Sequence, residues 1–143
     1  MRHASVVVCD DLTYSLNGKM NAVGIYTGDI IIPASPAMLN QLIFLFIIET
    51  EPSDPFKSLI LHVSLPNGQS HQIPVVMETL VPAISDQTRW TLRWPLAFYG
   101  PFLTPGPIVA KILHEGGEII AAAPIITIAS PHIPSPVTTE KMV

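Results

Sequence analysis

Apolar residues recur along the chain in short runs, and turn-forming residues separate one run from the next. The runs are rich in Val, Ile, Leu and Thr, and none repeats its apolar positions every 3.6 residues, as an amphipathic helix would. The pattern predicts an all-β protein, an antiparallel, immunoglobulin-like β-sandwich of about seven or eight strands, with a closed barrel as the alternative. We expect strands near residues 4–9, 21–32, 42–50, 57–65, 69–78, 87–95, 107–114 and 118–129.

Two segments are expected to depart from the strands. The segment from Ser35 to Gln41 can form one short helical turn, with Ser35 as its N-cap and Pro36 at its first position. The Pro-, Ser- and Thr-rich residues 130–143 are expected to form a C-terminal tail. Residues 1–129 are therefore predicted to be a single β-sandwich domain.

The segment 59–76 predicts a β-hairpin whose register can be chosen from the side chains. A three-residue loop, Pro66-Asn67-Gly68, pairs Leu61 with Ile73, so that apolar side chains meet across the hairpin. A two-residue loop would place the apolar face of one strand beside the polar face of the other. Pro at the first turn position and Gly at a left-handed position suit a type I turn with a G1 bulge. We therefore predict the three-residue loop.

Two further turn signals predict two further hairpins. One lies at Leu16–Lys19, before the strand expected at 21–32. The other lies at His114–Glu118, where we expect a two-residue loop of Gly116 and Gly117. Three antiparallel hairpins without a β-helix-β unit favour the sandwich.

The composition changes this picture by removing several classes of partner. Only 13% of the residues are charged, about half the ~25% that is usual in soluble domains. The net charge is −4 and Lys plus Arg number seven, so nucleic acid and anionic membrane surfaces are poor candidates as partners. The mean hydropathy is +0.44, yet no apolar run reaches the ~20 residues that span a bilayer. We expect the surplus apolar surface to lie in a core and in protein contacts.

The compartment is predicted from the first residues and from the cysteine content. Residues 1–11 contain three consecutive valines before two aspartates, which is too short for the apolar core of a signal peptide. A single cysteine, Cys9, cannot form an internal disulfide. Both observations favour the cytoplasm.

Three short motifs near the N-terminus carry a resemblance. Cys9-Asp10-Asp11, Gly18-Lys19 and Gly24-Ile25-Tyr26 follow one another as they do in an uncharacterised bacterial family of short immunoglobulin-like β proteins, a domain of unknown function. The segment from Phe102 to Ile120 is similar to the last hairpin of many immunoglobulin-like sandwiches. The resemblance implies a fold, and it implies neither an activity nor catalytic residues.

Asp10 and Asp11 are the first candidates for chemistry. They could belong to a hard-cation site, joined by the carboxylates of Glu49, Glu51 and Asp54 if those loops meet at one end of the sandwich. They could equally mark the polar end of a strand, where Asp accepts local backbone hydrogen bonds. We favour the strand end, because no spaced Asp/Asn/Gly loop accompanies the pair. No metal and no cofactor is therefore predicted.

Nucleophilic catalysis is not indicated either. Cys9 follows Val8 and precedes two carboxylates that would raise its pKa, so we expect a small buried apolar residue. No Ser elbow, no Gly-rich phosphate loop and no zinc-ligand spacing is visible. The five histidines are scattered, and the predicted hairpin places His62 and His71 on opposite faces. The protein is predicted not to be an enzyme.

Trp90 and Trp94 are the last candidates. On a strand they share one face with Leu92, while Arg93 lies on the other. An aromatic surface for a sugar or a peptide is one interpretation. We favour the other, in which the tryptophans belong to the core and the arginine faces solvent, because Leu92 lies between them.

Two functions from different classes remain. The first is a non-enzymatic module that acts by protein–protein contact, as a homodimer or within a larger assembly. Low charge and surplus apolar residues favour it, because outer faces and edge strands should then carry apolar side chains. The alternative is a ligand-binding module for calcium or a carbohydrate, using the loop carboxylates or the Trp/Arg strand.

Overall fold

The chain is all-β in a computed structural model that describes residues 3–51, 53, 56–75, 90–121 and 123–128. None of the described residues is helical, and so none forms a helix long and apolar enough to cross a membrane. The predicted tail at 130–143 lies outside the described residues. The strands are β1 (His3–Tyr14), β2 (Met20–Ile25), β3 (Ile30–Ile32), β4 (Ala37–Met38), β5 (Gln41–Thr50), β6 (Leu59–Ser64), β7 (Ser70–Val75), β8 (Trp90–Tyr99), β9 (Phe102–Leu103), β10 (Gly106–Pro107), β11 (Val109–His114), β12 (Gly117–Ile120) and β13 (Ile125–Ile128).

Two four-stranded antiparallel sheets form the body of the fold. Sheet one has the order β2-β1-β5-β8 and sheet two the order β12-β11-β6-β7. A three-stranded sheet, β10-β13-β3, and the pair β4-β9 complete the described strands. The predicted all-β class and antiparallel sandwich are confirmed. One pair departs from the prediction, since β3 and β13 run parallel.

The core lies between the two large sheets. In sheet one, Val8, Phe44 and Leu96 pair across β1, β5 and β8 and are buried, because residues paired across strands share a face. Phe44 meets the ring of Phe98 edge to face at 5.8 Å. His71 of sheet two stacks on Phe98 with ring centroids 4.7 Å apart, which joins the sheets. The remaining buried residues of this core are Ile30, Ile32, Leu42, Phe46, Ile48, Phe56, Leu59, Leu61, Val63, Leu65, Val75, Leu103, Ile108, Ala110, Ile112 and Ile126.

The β6–β7 hairpin has the predicted register. Leu61 pairs with Ile73. The backbone N–H of Leu65 donates to the carbonyl of Gln69 at 2.8 Å and closes a three-residue loop. Gly68 adopts a φ of +93°, the left-handed conformation that the G1 bulge requires. Apolar pairing across the hairpin thus identified the loop correctly.

The β11–β12 loop lies one residue earlier than predicted. Gly117 pairs with His114, so the two loop residues are Glu115 and Gly116 rather than the two glycines. The Glu115 carboxylate accepts the backbone N–H of Lys57 at 2.9 Å, which holds this residue in the loop. A hydrogen bond between the loop and a neighbouring segment therefore accompanies this register.

The predicted helical turn at 35–41 is wrong. Ala37 and Met38 form β4 and pair with Leu103 and Phe102 of β9. The segment is extended because it continues the β5–β8 ladder, in which its backbone groups find partners that one isolated helical turn would lack.

Candidate contact surface at one end of the sandwich

The first hairpin extends beyond sheet one. The pairing of β1 with β5 ends where Cys9 meets Ile43. Among the described residues, β1 continues to Tyr14 and pairs there with β2 alone. We call residues 10–25 the arm.

A tight turn closes the arm. Ser15 donates its N–H to the carbonyl of Lys19 at 2.8 Å, and Gly18 donates to the carbonyl of Ser15 at 3.0 Å. Gly18 has a φ of +82°, so the loop has the same three-residue form as that of the β6–β7 hairpin. Short-range turn chemistry therefore sets the register of the whole arm.

Beyond Asp10, apolar residues pair on one face of the arm, and Val23 and Ile25 lie on the other face. Leu12 pairs with Ala22 and Tyr14 with Met20, so one face is apolar. This face continues the inward-facing side of sheet one past the end of the β1–β5 ladder. Tyr14 is 62% exposed there, and Leu16 at the tip is fully exposed.

A second apolar ribbon lies at the same end of the molecule. The β5–β8 ladder continues into β4 and β9, since Gly100 donates its N–H to Asn40 at 2.8 Å. Met38 and Phe102 pair across this ribbon and are 63% and 45% exposed. Tyr99, at the last pair of the β5–β8 ladder, is also exposed.

Exposed apolar side chains are concentrated in these two ribbons, which we call the arm end. Ile43 and Leu45, on the outward face of β5, are only 7% and 6% exposed. The predicted apolar outer face of the sandwich therefore exists in sheet one, but at β5 it is already covered within the chain. Among the described residues, most of the exposed large apolar side chains lie in the arm end: Tyr14, Leu16, Val23, Ile25, Met38, Tyr99 and Phe102.

Asp10 and Asp11 lie within β1 and not at its end, so the strand-end interpretation is wrong. The strand continues because β2 pairs with it as far as Tyr14. Asp10 accepts a hydrogen bond from the Tyr26 hydroxyl at 2.9 Å. Asp11 accepts one from the side-chain amide of Gln41 at 2.8 Å and one from its neighbouring backbone N–H. As adjacent residues of one strand, the two carboxylates point to opposite faces.

The structure separates the two aspartates from Glu49 and Glu51, two of the other predicted cation ligands. Glu49 pairs with His3 at the far end of the β1–β5 ladder, eight residues from the Gln41 that binds Asp11. At roughly 3.3 Å per residue this is about 26 Å. Glu51 lies beyond Glu49, and Asp54 lies outside the described residues. No group of three His, Cys, Asp or Glu side chains in the described part of the chain is arranged to hold a metal ion.

The Asp10–Tyr26 pair is instead a structural contact at the base of the arm. Burial, and then the hydrogen bond and negative charge of Asp10, raise the pKa of Tyr26 from 10.0 to about 12. A protonated phenol donates to the carboxylate over the whole neutral range.

Cys9 is buried and free of disulfide bonds, as predicted. Burial raises the pKa of its thiol, and the charges of Asp10 and Asp11 act in the same direction. A buried thiol with a raised pKa does not supply a thiolate nucleophile.

The tryptophan strand supports the core interpretation where it is described. Trp94 and Leu92 are partly buried and pack against the core, while Arg93 is exposed. Trp90 begins β8, but its side chain lies outside the described part. An aromatic surface made by both rings is not favoured, because one of them is engaged with the core.

A shallow groove of about 360 Å³ lies beside the base of the arm, between residues 6–8, 25–29 and 123–124. Asp29 on its wall accepts the backbone N–H of Ile125 at 3.3 Å. The groove is open to solvent, and most of the residues that line it are apolar.

The sequence did not indicate that Tyr26 and Gln41 bind the two aspartates, or that Tyr14 and Leu16 are exposed in the arm. The signal for Tyr14 was present, because pairing the chain outward from the turn at Leu16–Lys19 extends β1 well past Asp11. Gln41 carried no such signal, because its contact with Asp11 depends on how β1 and β5 pair.

Neither the protein-family models nor the curated proteins include one that matches this chain. The resemblance to a family of short immunoglobulin-like β proteins therefore stays a prediction. The arm end is the candidate site that the geometry supports best.

Proposed function

We propose that this protein is a non-enzymatic contact module and that the arm end is the surface through which it binds another protein. One observation carries the proposal: exposed large apolar side chains gather at this end, although the outward face of β5 is covered. Exposed apolar patches of this kind mark interaction sites more often than scattered single residues do.

A partner that covers this surface gains hydrophobic stabilisation. Full burial of a large apolar side chain contributes about 1.5–3 kcal/mol. Tyr14, Leu16, Met38 and Phe102 are each at least 45% exposed, so a partner that covers them removes substantial apolar area from water. The backbone of Tyr14, Met38 and Phe102 is held by strand pairing, which lowers the entropic cost of binding.

We further propose that the protein is an immunoglobulin-like sandwich and that it acts in the cytoplasm. The single cysteine is buried and unpaired, which fits a reducing compartment. The alternative of a calcium or carbohydrate module is less favoured. Asp10 and Asp11 point to opposite faces, and Trp94 packs on the core.

Site-specific photo-crosslinking in the cells that make the protein tests the proposal. A benzophenone side chain replaces Leu16 at the tip of the arm, and in a matched control it replaces Ile120, which is 74% exposed on β12. We expect a discrete protein adduct from position 16 and none of the same mass from position 120. The partner, identified by mass spectrometry and purified, should bind the wild-type chain and lose affinity at least tenfold for Tyr14→Asp.

Equal adducts from both positions, or none from position 16, would overturn the proposal. Tyr14→Asp must keep the wild-type circular dichroism spectrum, so that weaker binding is not caused by unfolding. A Tyr14→Phe variant should bind like the wild type, because it keeps the apolar ring.

A further inference from the structure

We infer that a second copy of this chain binds the arm, by antiparallel pairing of β2 with the β2 of its partner. The inference rests on the proposed function and names its partner. Pairing about a twofold axis joins sheet one of each copy into a continuous eight-stranded sheet, β8-β5-β1-β2 followed by the same strands in reverse order.

The edges of the two large sheets differ in how they are protected from pairing. An edge strand invites another strand unless Pro, charge or shortness blocks it. Pro74 lies in β7 and Pro95 in β8. The edge strand β12 has four residues, and its Glu118 forms an ion pair with Lys111 at 3.3 Å. In contrast, β2, with the sequence MNAVGI, contains neither a proline nor a charged residue.

The outer edge of β2 is accessible. Within the described part of the chain β2 pairs with β1 alone. Val23 and Ile25 are 49% and 51% exposed. Both are β-branched residues, which are well suited to a paired strand.

Charge favours this strand for contact between identical copies. The chain carries a net charge of −4, so two copies repel each other through most of their surfaces. Residues 20–28 contain no charged side chain, and a twofold axis places this segment against itself. Self-association through β2 therefore avoids direct opposition of like charges.

A twofold axis at Val23 brings this apolar residue of one copy opposite the same residue of the other. It places the two Val23 side chains beside each other on the outward face, where Asp11 is the neighbour of Val23 on β1. An apolar β-branched pair that faces across two neighbouring strands stabilises their pairing. A charge at this position would instead meet an identical charge.

Charge substitution at Val23 tests the inference with the purified full chain. Wild type should sediment at twice the 15.5 kDa chain mass in the low micromolar range. Val23→Lys and Val23→Glu should each weaken the dimer at least tenfold. Mixed in equal amounts, the two variants should restore dimers that contain one copy of each, as native mass spectrometry resolves. Ile120→Lys, a change at a more exposed position on another edge strand, should leave the dimer intact.

The outcomes separate the inference from the proposed function. Monomeric wild type, or a dimer that Ile120→Lys weakens as much as Val23→Lys does, overturns the inference. Failure of the mixed variants to associate, while each keeps the wild-type circular dichroism spectrum, also overturns it. If wild type is monomeric but position 16 still crosslinks to a different protein, the proposed function stands and only the second copy is excluded.

Discussion

Gly24 lies against the side chain of Asp10 at the base of the arm. Its φ is +68°, and a Cβ added there would lie 2.9 Å from the carboxylate carbon of Asp10. A side chain at position 24 would therefore meet both backbone strain and a steric overlap. Because Gly24 has no side chain, the Asp10 carboxylate has room to accept the hydrogen bond from Tyr26.

Substitution of three glycines separates these two effects. Gly24→Ala should lower the free energy of unfolding by about 2 kcal/mol or more, because left-handed strain and overlap add. Gly18→Ala has the same strain but open space, and should cost about 1–2 kcal/mol. Gly28→Ala has neither and should stay within about 0.5 kcal/mol. Urea denaturation measures the free energy of unfolding of all three variants. Equal losses for Gly24→Ala and Gly18→Ala would show that the Asp10 side chain does not crowd position 24.

The raised pKa of Tyr26 makes the free energy of unfolding depend on pH in the alkaline range. Its pKa is about 12 in the folded chain and 10.0 ordinarily, so the unfolded chain loses this proton first. The contribution of the protonated Tyr26 phenol to the free energy of unfolding is present in full below pH 10, and it is lost as the pH rises toward 12. We expect the free energy of unfolding to fall less steeply over this range in Tyr26→Phe than in wild type.

Asp10 supplies part of that shift. Asp10→Asn should lower the pKa of Tyr26 toward 10, although burial remains. Absorbance at alkaline pH, compared between Asp10→Asn and the double variant with Tyr26→Phe, isolates this one phenol. A Tyr26 titration that is the same with and without the Asp10 carboxylate would contradict the assignment.

At the scale of elements, the sequence could predict the strand registers that short hairpin loops determine. Alternating apolar residues on both sides of Asn67 and Gly68 identified the β6–β7 register, because a slip by one residue would expose the core face. The same reasoning applied at Gly18 would have extended β1 beyond Asp11. Two adjacent carboxylates instead favour a strand end when the sequence is considered alone. Polar residues are tolerated within β1 there because the arm has left the core.

Contacts between distant elements could not be predicted in this way. The loop of the β11–β12 hairpin is tied to Lys57 by Glu115, and β4 is extended because β9 lies beside it. Both partners are remote along the chain. The separation of Glu49 from Asp11 likewise depends on the antiparallel pairing of β1 with β5, which local patterns do not specify.

The two matching three-residue loops provide a test at this scale. Asn67 accepts the N–H of Gln69 at 2.7 Å, and its amide donates to the Gln69 side chain and to the carbonyl of Phe102. Asn67→Ala should therefore lower the free energy of unfolding by about 1–3 kcal/mol. Asn17→Ala, at the equivalent position of the arm, removes no such contact within the described residues and should cost less than about 0.5 kcal/mol. Thermal denaturation compares the pair, and an equal loss at both sites would refute the role of the Asn67 side chain.

At the scale of the whole molecule, the low charge content is accompanied by exposed apolar side chains. The outward face of β5 is covered within the chain, and exposed apolar residues gather at the arm end. Three of the four edges of the large sheets carry proline or an ion pair, while β2 carries neither. Self-association through β2 would pair this edge and extend sheet one.

Amide hydrogen exchange at several protein concentrations tests the pairing of β2 most directly. The account predicts that amides of Met20–Ile25 exchange more slowly as the concentration rises through the dimerisation range. Amides of β12, an edge strand that is already protected by charge, should exchange at a constant rate. Val23→Lys should remove the concentration dependence in β2. Exchange in β2 that is independent of concentration, or slowing that is shared equally by β12, would contradict the account.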